Sequence, residues 1–205
     1  MKVYLSKRAP NPRRVAWVLA EKGAKDVEIV DVDLLKGEHK TEDFLKRVGV
    51  PNVPALQMDN GLVITESIAI CRYLDTCYPE PDLFGRTPEE VAVLEMWTRR
   101  AEMWLATPLM LTVRHSHPAL AVLEQQSAEV AENNRAIATR SLGLFDRRLS
   151  ESAFIARDTI SIADIVAFIG FDFARMAKFA IPDDKPHLQR WADSMRSRAA
   201  AQAGV

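Results

Sequence analysis

The sequence has few cysteines, no excess of one charge and no long apolar run. Its two cysteines, Cys71 and Cys77, are too few for a disulfide framework and are not spaced as a Cys-x-x-Cys redox pair. The 27 Lys and Arg nearly balance the 28 Asp and Glu, giving a net charge of −1, so no overall field attracts nucleic acid or an anionic membrane. No apolar run approaches the roughly 18 residues that a membrane-spanning helix needs. These absences favour a globular protein with reduced thiols.

The N-terminus also lacks the pattern of a secretion signal. Residues 1–5, Met-Lys-Val-Tyr-Leu, pass directly into strand-like sequence, without a long apolar core or a cleavage site. We therefore expect a cytoplasmic protein. The hydrophobic content of 48% and the charged content of 27% are ordinary for a globular chain, and 205 residues are enough for one large or two small domains.

Strand and helix signals alternate through residues 1–78. β-branched residues mark two strands, and the helix between them starts with Asn11 as its N-cap, followed by Pro12, and ends at Gly23. Asp59-Asn60-Gly61 predicts a hairpin between two further strands. The predicted elements are strand 3–5, helix 11–23, strand 27–32, helix 41–47, strands 54–58 and 62–64, and helix 66–77. This βαβαββα order is the thioredoxin-like arrangement.

The composition changes at residues 79–87, where prolines and turn formers indicate a linker. The helices predicted after it are 88–115, bent near Thr107-Pro108, then 120–150, then a segment opened by a Ser161–Asp164 capping box, and a last one holding Leu188, Trp191, Ala192 and Met195. The tail 199–205 is expected to fray. The expected fold is therefore an α/β thioredoxin-like domain over 1–78 and an all-α domain over 88–205.

Residues 51–67 carry the clearest functional signal. A Val53-Pro54 step ahead of a short apolar strand favours a cis peptide bond, since cis costs only about 0.5–1 kcal/mol before proline. That geometry leaves the Val53 N–H and C=O free to pair with an extended peptide. Glu66 and Ser67 then open a helix whose free amides suit a carboxylate, and Glu66 itself suits an ammonium group. Together these residues predict a pocket for a small zwitterionic peptide.

This arrangement, in this order, resembles the cytosolic type of the glutathione S-transferase family, and the resemblance covers essentially the whole chain. It implies glutathione as co-substrate and no metal. By that resemblance, Val53 pairs with the cysteinyl backbone of glutathione, and Glu66 and Ser67 hold its γ-glutamyl end. Lys40 is expected to bind the glycine carboxylate, with His39 as a second contact, although a lone lysine is otherwise a solvated surface charge. The residues so assigned to glutathione are His39, Lys40, Val53, Pro54, Glu66 and Ser67.

The resemblance also requires a group that stabilises the glutathione thiolate. A free thiol has a pKa near 8.5, and each unit of depression needs about 1.4 kcal/mol of preference for the anion. Ala9 stands where several classes place their serine, and alanine has no donor. Asn11 lies in a Pro-Asn step similar to that of nu-class members, and its amide can cap the helix and face the thiolate together. Ser6 is the other candidate. Each residue also has a non-catalytic interpretation: Asn11 as a helix N-cap and Ser6 as an ordinary loop hydroxyl.

His115 is a third catalytic candidate. In related members that lack a Tyr, Ser or Cys catalyst, a histidine near this position helps to activate the thiol. His115 and His117 also form a His-x-His pair, which is a weak metal signal without a third ligand. We therefore expect no metal site, and a surface helix end is the plain interpretation.

The second substrate is expected to meet the thiolate in the cleft between the domains. The side chains of one long helix that are candidates to line it are Met103, Trp104, Thr107, Met110 and Arg114. Their periodicity fits core or dimer contacts equally well. By analogy with the family we expect a symmetric homodimer acting on a small molecule, with no nucleic-acid or membrane partner.

Three functions stay open from the sequence. The first is transfer of glutathione to small hydrophobic electrophiles, through thiolate stabilisation and proximity. The second is glutathione-dependent reduction of disulfides or peroxides, which the Pro10-Asn11 step favours. The third is a glutathione-binding module without catalysis, which Ala9 in place of a serine favours. We predict the first.

Overall fold

The chain divides into two compact units in the computed structural model, which describes all of residues 1–205. The first unit consists of Met1–Pro81 together with Ala199–Val205, and the second of Asp82–Arg198. The sequence-based boundaries put residues 199–205 with the helical domain, whereas the structure packs this segment in the first unit. None of the helices is both long and apolar enough to cross a membrane.

The first unit is built on a four-stranded mixed sheet in the order β2-β1-β3-β4. Strands β1 and β2 are parallel, and the other two pairs are antiparallel. The elements of this unit are β1 Lys2–Leu5, α1 Pro10–Lys22, β2 Glu28–Asp31, α2 Glu42–Val48, β3 Ala55–Gln57, β4 Val63–Thr65 and α3 Ser67–Cys77. The βαβαββα order and the thioredoxin-like fold predicted from the sequence are confirmed.

The strand registers bring four chain segments to one edge of the sheet. Leu5 pairs with Asp31 in the β1–β2 ladder, Tyr4 pairs with Ala55 in the β1–β3 ladder, and Ala55 pairs with Thr65 in the β3–β4 ladder. The last residues of β1, β2 and β4 and the first residue of β3 therefore lie side by side. We call this the C-terminal edge. Every loop that carries a predicted glutathione-binding residue starts or ends there.

An apolar cluster fixes α2 against this edge. Tyr4, Phe44, Val48 and Ala55 are buried members of the cluster, and the half-buried Val53 packs on it. The Tyr4 and Phe44 rings meet edge to face with their centroids 5.8 Å apart, and the Tyr4 hydroxyl donates to Gln57 Oε1 at 2.8 Å. Tyr4 therefore packs the core, and its hydroxyl is already bonded within the sheet.

The second unit is entirely helical. Its helices are α4 Pro88–Arg100, a π-helical segment Ala101–Ala106, α5 Thr107–Ser116, α6 Ala128–Glu151, α7 Ile162–Ala174 and α8 Pro186–Arg196. Almost all of α7 is buried, and its Gly170 lies so close to the π-helical segment that a Cβ there would stand 2.8 Å from Ala106 Cα. Only glycine permits this approach.

Two helix predictions in this unit need correction. The single bent helix over 88–115 is interrupted by π-helical hydrogen bonding immediately before Pro108, which has no N–H to continue an α-helical pattern. The helix predicted from residue 120 begins instead at Ala128, because Ser127 Oγ accepts the Val130 N–H as its cap. The residues ahead of it, Pro118–Leu120, form a 3₁₀ turn.

The Ser161–Asp164 capping box is confirmed. Asp164 Oδ2 accepts from the Ser161 N–H at 2.9 Å and from the Ser161 hydroxyl at 2.7 Å, while Oδ1 accepts from Ile155 N at 2.7 Å and Trp191 Nε1 at 2.9 Å. Burial raises the pKa of Asp164, and these four donors oppose that rise. The box ties the start of α7 to α8 and to the loop before it, so its role is structural.

The expectation that the C-terminal tail frays is wrong. Residues Ala199–Gln202 form a 3₁₀ turn with Ala200 and Ala201 buried, and the turn packs on α1. Arg13 Nη2 donates to the Ala201 carbonyl at 3.3 Å. The small side chains of Ala200 and Ala201 let the tail pack against α1, and this packing together with the Arg13 hydrogen bond keeps the tail ordered.

Candidate functional site

The segment before β3 and the start of α3 lie together at the C-terminal edge. Ala55 pairs with Thr65, so the residues that precede one and follow the other, Pro54 and Glu66, are neighbours by register. The Val53–Pro54 peptide bond is cis, as the sequence predicts. The half-buried Val53 makes no main-chain hydrogen bond with the rest of the chain, which leaves its N–H and C=O available to an extended peptide.

The start of α3 is the second part of this site. Glu66 is the N-cap with φ 69° and no side-chain capping bond, and its side chain is exposed. The first helical hydrogen bond runs from Ile70 N to Glu66 O at 3.0 Å, so the amides of the three preceding helical residues make no helical bond. A positive φ costs a non-glycine residue about 1–3 kcal/mol and often marks a functional position. The turn therefore presents a carboxylate beside free amide donors.

Ser67 is buried and is bonded to a residue that the sequence analysis missed. Arg14, on α1, is only 1% exposed, and its Nη1 donates to Ser67 Oγ at 3.2 Å. Arg14 has a recognisable signal in the sequence, because it stands four residues before Val18 on the apolar face of α1. A charged residue on such a face needs a specific polar partner.

His39 and Lys40 follow β2, in a 3₁₀ turn over Glu38–Lys40. His39 is buried, and its Nδ1 has no hydrogen-bond partner within the chain. Burial and the neighbouring Lys40 charge lower the pKa of His39, so the ring is neutral at pH 7. Lys40 is exposed. The turn thus offers one unpartnered ring nitrogen and one cation next to the α2 cluster.

The interpretation of Asn11 as an N-cap is wrong. Helix α1 begins at Pro10, its N-cap is Ala9, and no side chain caps it. Asn11 is the second helical residue, and its Oδ1 is buried without a partner. Proline is favoured at the first helical position, and Pro10 takes that place ahead of Pro12, which explains why the helix starts earlier than predicted.

Asn11 nevertheless carries the one unused amide at the start of α1. Pro10 and Pro12 have no N–H, and the Arg13 N–H donates to the Ala9 carbonyl at 3.0 Å. The Asn11 N–H is therefore the free donor at the positive end of this helix. The NH2 end of the Asn11 side chain is a second donor, so Asn11 offers two N–H groups of the kind that stabilise an anion.

Ser6 is buried and lies where β1 reaches the C-terminal edge. Its carbonyl accepts the Ala9 N–H at 3.3 Å, which closes the turn between β1 and α1. Within that turn Arg8 has φ 63°. Ser6 thus stays a candidate by position, and its main chain shapes the turn that delivers Asn11.

The predicted electrophile-binding residues lie in the second unit and differ in exposure. Met103 is 55% and Trp104 is 45% exposed, while Thr107 and Met110 are half-buried. Arg114 pairs with Glu124 at 2.6 Å, so its charge is already compensated. The Arg100 guanidinium lies over the Trp104 ring, 5.7 Å from its centroid. An apolar, partly exposed helix face therefore runs along this segment.

His115 is held by the start of α6. Its Nδ1 accepts the Ser127 N–H at 3.3 Å, so the neutral ring carries its proton on Nε2. A cavity of about 410 Å³ lies between α5 and α6. Its lining residues are Thr112, His115, Ser116, Ala128, Ala131, Glu132 and Arg135. His115 is thus fixed as a donor at Nε2, in the second unit.

The buried Cys71 offers no reactive thiolate. Burial raises the pKa of Cys71 to about 12, which keeps it protonated at neutral pH. Cys77 is exposed at the last residue of α3. No group of three or more His, Cys, Asp or Glu side chains is placed to hold a metal ion.

Two family models match the chain. The one described as the N-terminal domain of glutathione S-transferase matches residues 1–76, and the one described as its C-terminal domain matches residues 101–199. The chain belongs to the glutathione S-transferase family. Glutathione S-transferase 2 of Saccharomyces cerevisiae is 35% identical over 201 residues, which cover 97% of this chain and 86% of that protein. Glutathione S-transferase F9 of Arabidopsis thaliana is 30% identical over 205 residues, which cover 98% and 94%.

Solved structures of glutathione S-transferases agree with the fold. Gtt2 from Saccharomyces cerevisiae superposes with a TM-score of 0.91 at 34% identity, and the match covers all of both chains. A glutathione S-transferase domain-containing protein from Marinobacter aquaeolei superposes with a TM-score of 0.92 at 35% identity, covering 98% of this chain and 99% of that one. The fold and the prediction of a glutathione S-transferase enzyme are therefore confirmed.

Proposed function

We propose that this glutathione S-transferase conjugates glutathione to small hydrophobic electrophiles. The observation that carries the proposal is at the C-terminal edge, where the registers of the four strands bring together four segments that carry unpartnered polar groups. These groups are the Asn11 amide, the His39 ring, the Val53 main chain and the start of α3. Glutathione is a tripeptide with charged ends and a central thiol, and it requires such a spread of donors and acceptors.

Each part of glutathione has a partner of matching chemistry. The N–H and C=O of Val53, next to Pro54, pair with the cysteinyl main chain. The exposed Glu66 carboxylate binds the γ-glutamyl ammonium, and Ser67 with the free amides of α3 binds the γ-glutamyl carboxylate. Lys40 and the buried His39 bind the glycine carboxylate at the other end.

The start of α1 stabilises the thiolate. The Asn11 N–H and side-chain amide, together with the positive end of the helix, favour the sulfur anion. The thiol proton leaves to solvent, the sulfur attacks the electrophilic carbon, and one S–C bond forms as the leaving group departs with its electron pair. Ser6 is the second donor candidate, and His115, a donor at Nε2, is the third.

The electrophile binds through apolar side chains of the second unit. We assign this role to Met103, Trp104, Thr107 and Met110, with Arg114 at the end of the series. Met103 and Trp104 are exposed, large and apolar, which suits a hydrophobic substrate. These apolar side chains thus support hydrophobic electrophiles as a substrate class.

The test is glutathione binding by calorimetry, together with conjugation of an aryl halide. Wild type should bind glutathione and form the conjugate, and E66A should weaken binding about tenfold or more because a charged hydrogen bond is lost. E129A is the matched control, since Glu129 is an exposed acid in the first turn of α6 with no assigned role. Absence of glutathione binding by wild type would overturn the proposal, and equal affinities of E66A and wild type would remove the γ-glutamyl assignment.

Glutathione-dependent reduction is the second candidate, favoured by the Pro10-Asn11 step at the start of α1. In that reaction the thiolate attacks a mixed disulfide of glutathione, a new S–S bond gives oxidised glutathione, and the other thiol leaves. Both protein cysteines lie on α3, and burial keeps the Cys71 thiol protonated, so in this proposal glutathione supplies the reacting thiolate. Parallel assays with an aryl halide and a mixed disulfide rank the two reactions.

A homodimer and a cytoplasmic location complete the proposal. Val93 and Met96 on α4 are 41% and 40% exposed, and their spacing of three residues puts them on one face of that helix. Such a face is typical of a subunit contact. Two unpaired cysteines fit a reducing compartment. Light scattering that finds only the 23.0 kDa monomer would contradict the dimer.

A further inference from the structure

Arg14 is a buried charge directly behind the candidate γ-glutamyl site. Its side chain is 1% exposed and comes from α1, which packs on α3. The Nη1 atom donates to Ser67 Oγ at 3.2 Å. Ser67 itself is 5% exposed and is the first residue of α3. The guanidinium therefore contacts the start of α3 through the Ser67 hydroxyl.

The direction of this hydrogen bond constrains the hydroxyl. A guanidinium has donors and no acceptor. Ser67 Oγ therefore accepts from Arg14, and the Ser67 hydroxyl cannot donate its own proton to Arg14. No acceptor within the chain takes that proton in a hydrogen bond. The hydroxyl is therefore left as a donor, as are the free amides of the same helix start. The Arg14 charge also lies at the start of α3, where its sign matches the positive end of the helix dipole.

A second residue on α3 responds to the same charge. Cys71 lies one turn after Ser67 on the same face of the helix. Burial raises the pKa of Cys71, the Arg14 charge opposes that rise, and the Asp75 charge adds to it. The Arg14 charge therefore acts on the α3 face that carries Ser67 and Cys71, against an acid farther along the same helix.

We infer that Arg14 is a positioning residue that turns Ser67 into a dedicated donor for the α-carboxylate of the γ-glutamyl group. The inference rests on the proposed function, because it assumes that glutathione binds at the start of α3. Arg14 acts through Ser67 and through its charge, without touching the ligand. Its contribution is therefore selectivity for a carboxylate at this position.

The test measures that selectivity with two ligands. Glutathione is compared with γ-aminobutyryl-cysteinylglycine, which has the same chain without the α-carboxylate. By calorimetry, wild type should bind glutathione about 100-fold more tightly than this analogue, and R14M should reduce the ratio to about tenfold or less. A merely structural loss would weaken both ligands equally and leave the ratio unchanged. R14K, which keeps a charge, should restore part of the ratio.

Arg13 provides the matched control. It is a neighbouring buried arginine on the same helix, and its Nη2 donates to the Ala201 carbonyl, so R13M should keep the wild-type ratio. S67A should lower the ratio as R14M does, and the double variant should lower it little further, since the two act as one unit.

A ratio in R14M within about twofold of wild type overturns the inference while wild type still binds glutathione. If wild type binds neither ligand, the proposed function fails with it. Should R14M not fold, R14K decides: a ratio reduced about threefold supports the inference, and an unchanged ratio overturns it.

Discussion

The main-chain N–H of Arg8 donates to the carbonyl of Gly204 at 2.8 Å. This bond joins the C-terminal segment to the turn between β1 and α1, the turn that delivers Asn11 to the candidate site. Gly204 has φ 72°, and a Cβ on it would stand 3.1 Å from both Ala16 Cβ and Arg13 Cγ. The tail is therefore packed tightly against α1 and the turn before it, and this packing requires glycine at position 204.

G204A should lower the free energy of unfolding by about 1–2 kcal/mol, because a positive φ strains alanine and the new methyl crowds α1. Urea unfolding measures the change. G143A is the matched control: Gly143 lies inside α6 with no atom within 4 Å of a built Cβ, so alanine should stabilise that helix by about 0.5–1 kcal/mol. Equal effects of the two substitutions would contradict the role given to the tail.

N11A should reduce kcat/KM about 10- to 100-fold, with a smaller change in the KM for glutathione, because one of two donors to the thiolate is lost and the main-chain N–H stays. N11D should lose more, since a carboxylate of the same shape repels the sulfur anion. Steady-state kinetics with an aryl halide tests both variants. Full activity of N11A would transfer the role to Ser6 or His115, which S6A and H115A then separate.

His39 predicts a pH dependence of stability. Burial lowers its pKa below the ordinary 6.5 of histidine, so the unfolded chain takes up a proton at higher pH than the folded one. The free energy of unfolding is then full above pH 6.5 and decreases as pH falls from 6.5 toward the lowered pKa. H39N should flatten this part of the curve, measured by thermal unfolding in the ligand-free protein. Identical slopes for H39N and wild type would rule out His39 as the source.

W104A should raise the KM for a hydrophobic electrophile severalfold and leave the KM for glutathione unchanged, because Trp104 contributes apolar area and no contact to the C-terminal edge is assigned to it. V122A is the control, since Val122 is an exposed apolar residue of the second unit with no assigned role in electrophile binding or in the dimer. Light scattering accompanies the kinetics. A change of molecular mass in W104A with unaltered electrophile KM would place Trp104 in a subunit contact instead.

Short-range patterns made most of the fold predictable. The Asp59-Asn60-Gly61 hairpin, the αL stop at Gly23 and the Ser161–Asp164 box each depend on residues close in sequence, and the structure has all three. The ordered C-terminal tail was the least predictable element. It is held by a hydrogen bond to Arg8, and the residues around the tail in sequence do not reveal a contact so far along the chain. The start of α6 was misplaced because the weakly helical stretch after Pro118 gives no clear boundary before Ser127 caps the helix.

The candidate site divides in the same way. Val53-Pro54 and Glu66-Ser67 lie in a short segment whose geometry follows from a hairpin, so spacing was enough to pair them. Arg14 was missed because its bond to Ser67 spans 53 residues, and a sequence position does not show which helix faces which. The role of Asn11 as a cap failed because Pro10 competes for the helix start, which local preferences alone do not rank.

The most direct test of the account is the ionisation of glutathione bound to the protein, followed through thiolate absorbance across pH. The account predicts a midpoint at least about one unit below the free thiol value near 8.5, since the start of α1 favours the anion. N11D should move that midpoint back upward. A bound thiol that titrates at the free value, or saturating glutathione that never binds, would contradict the account.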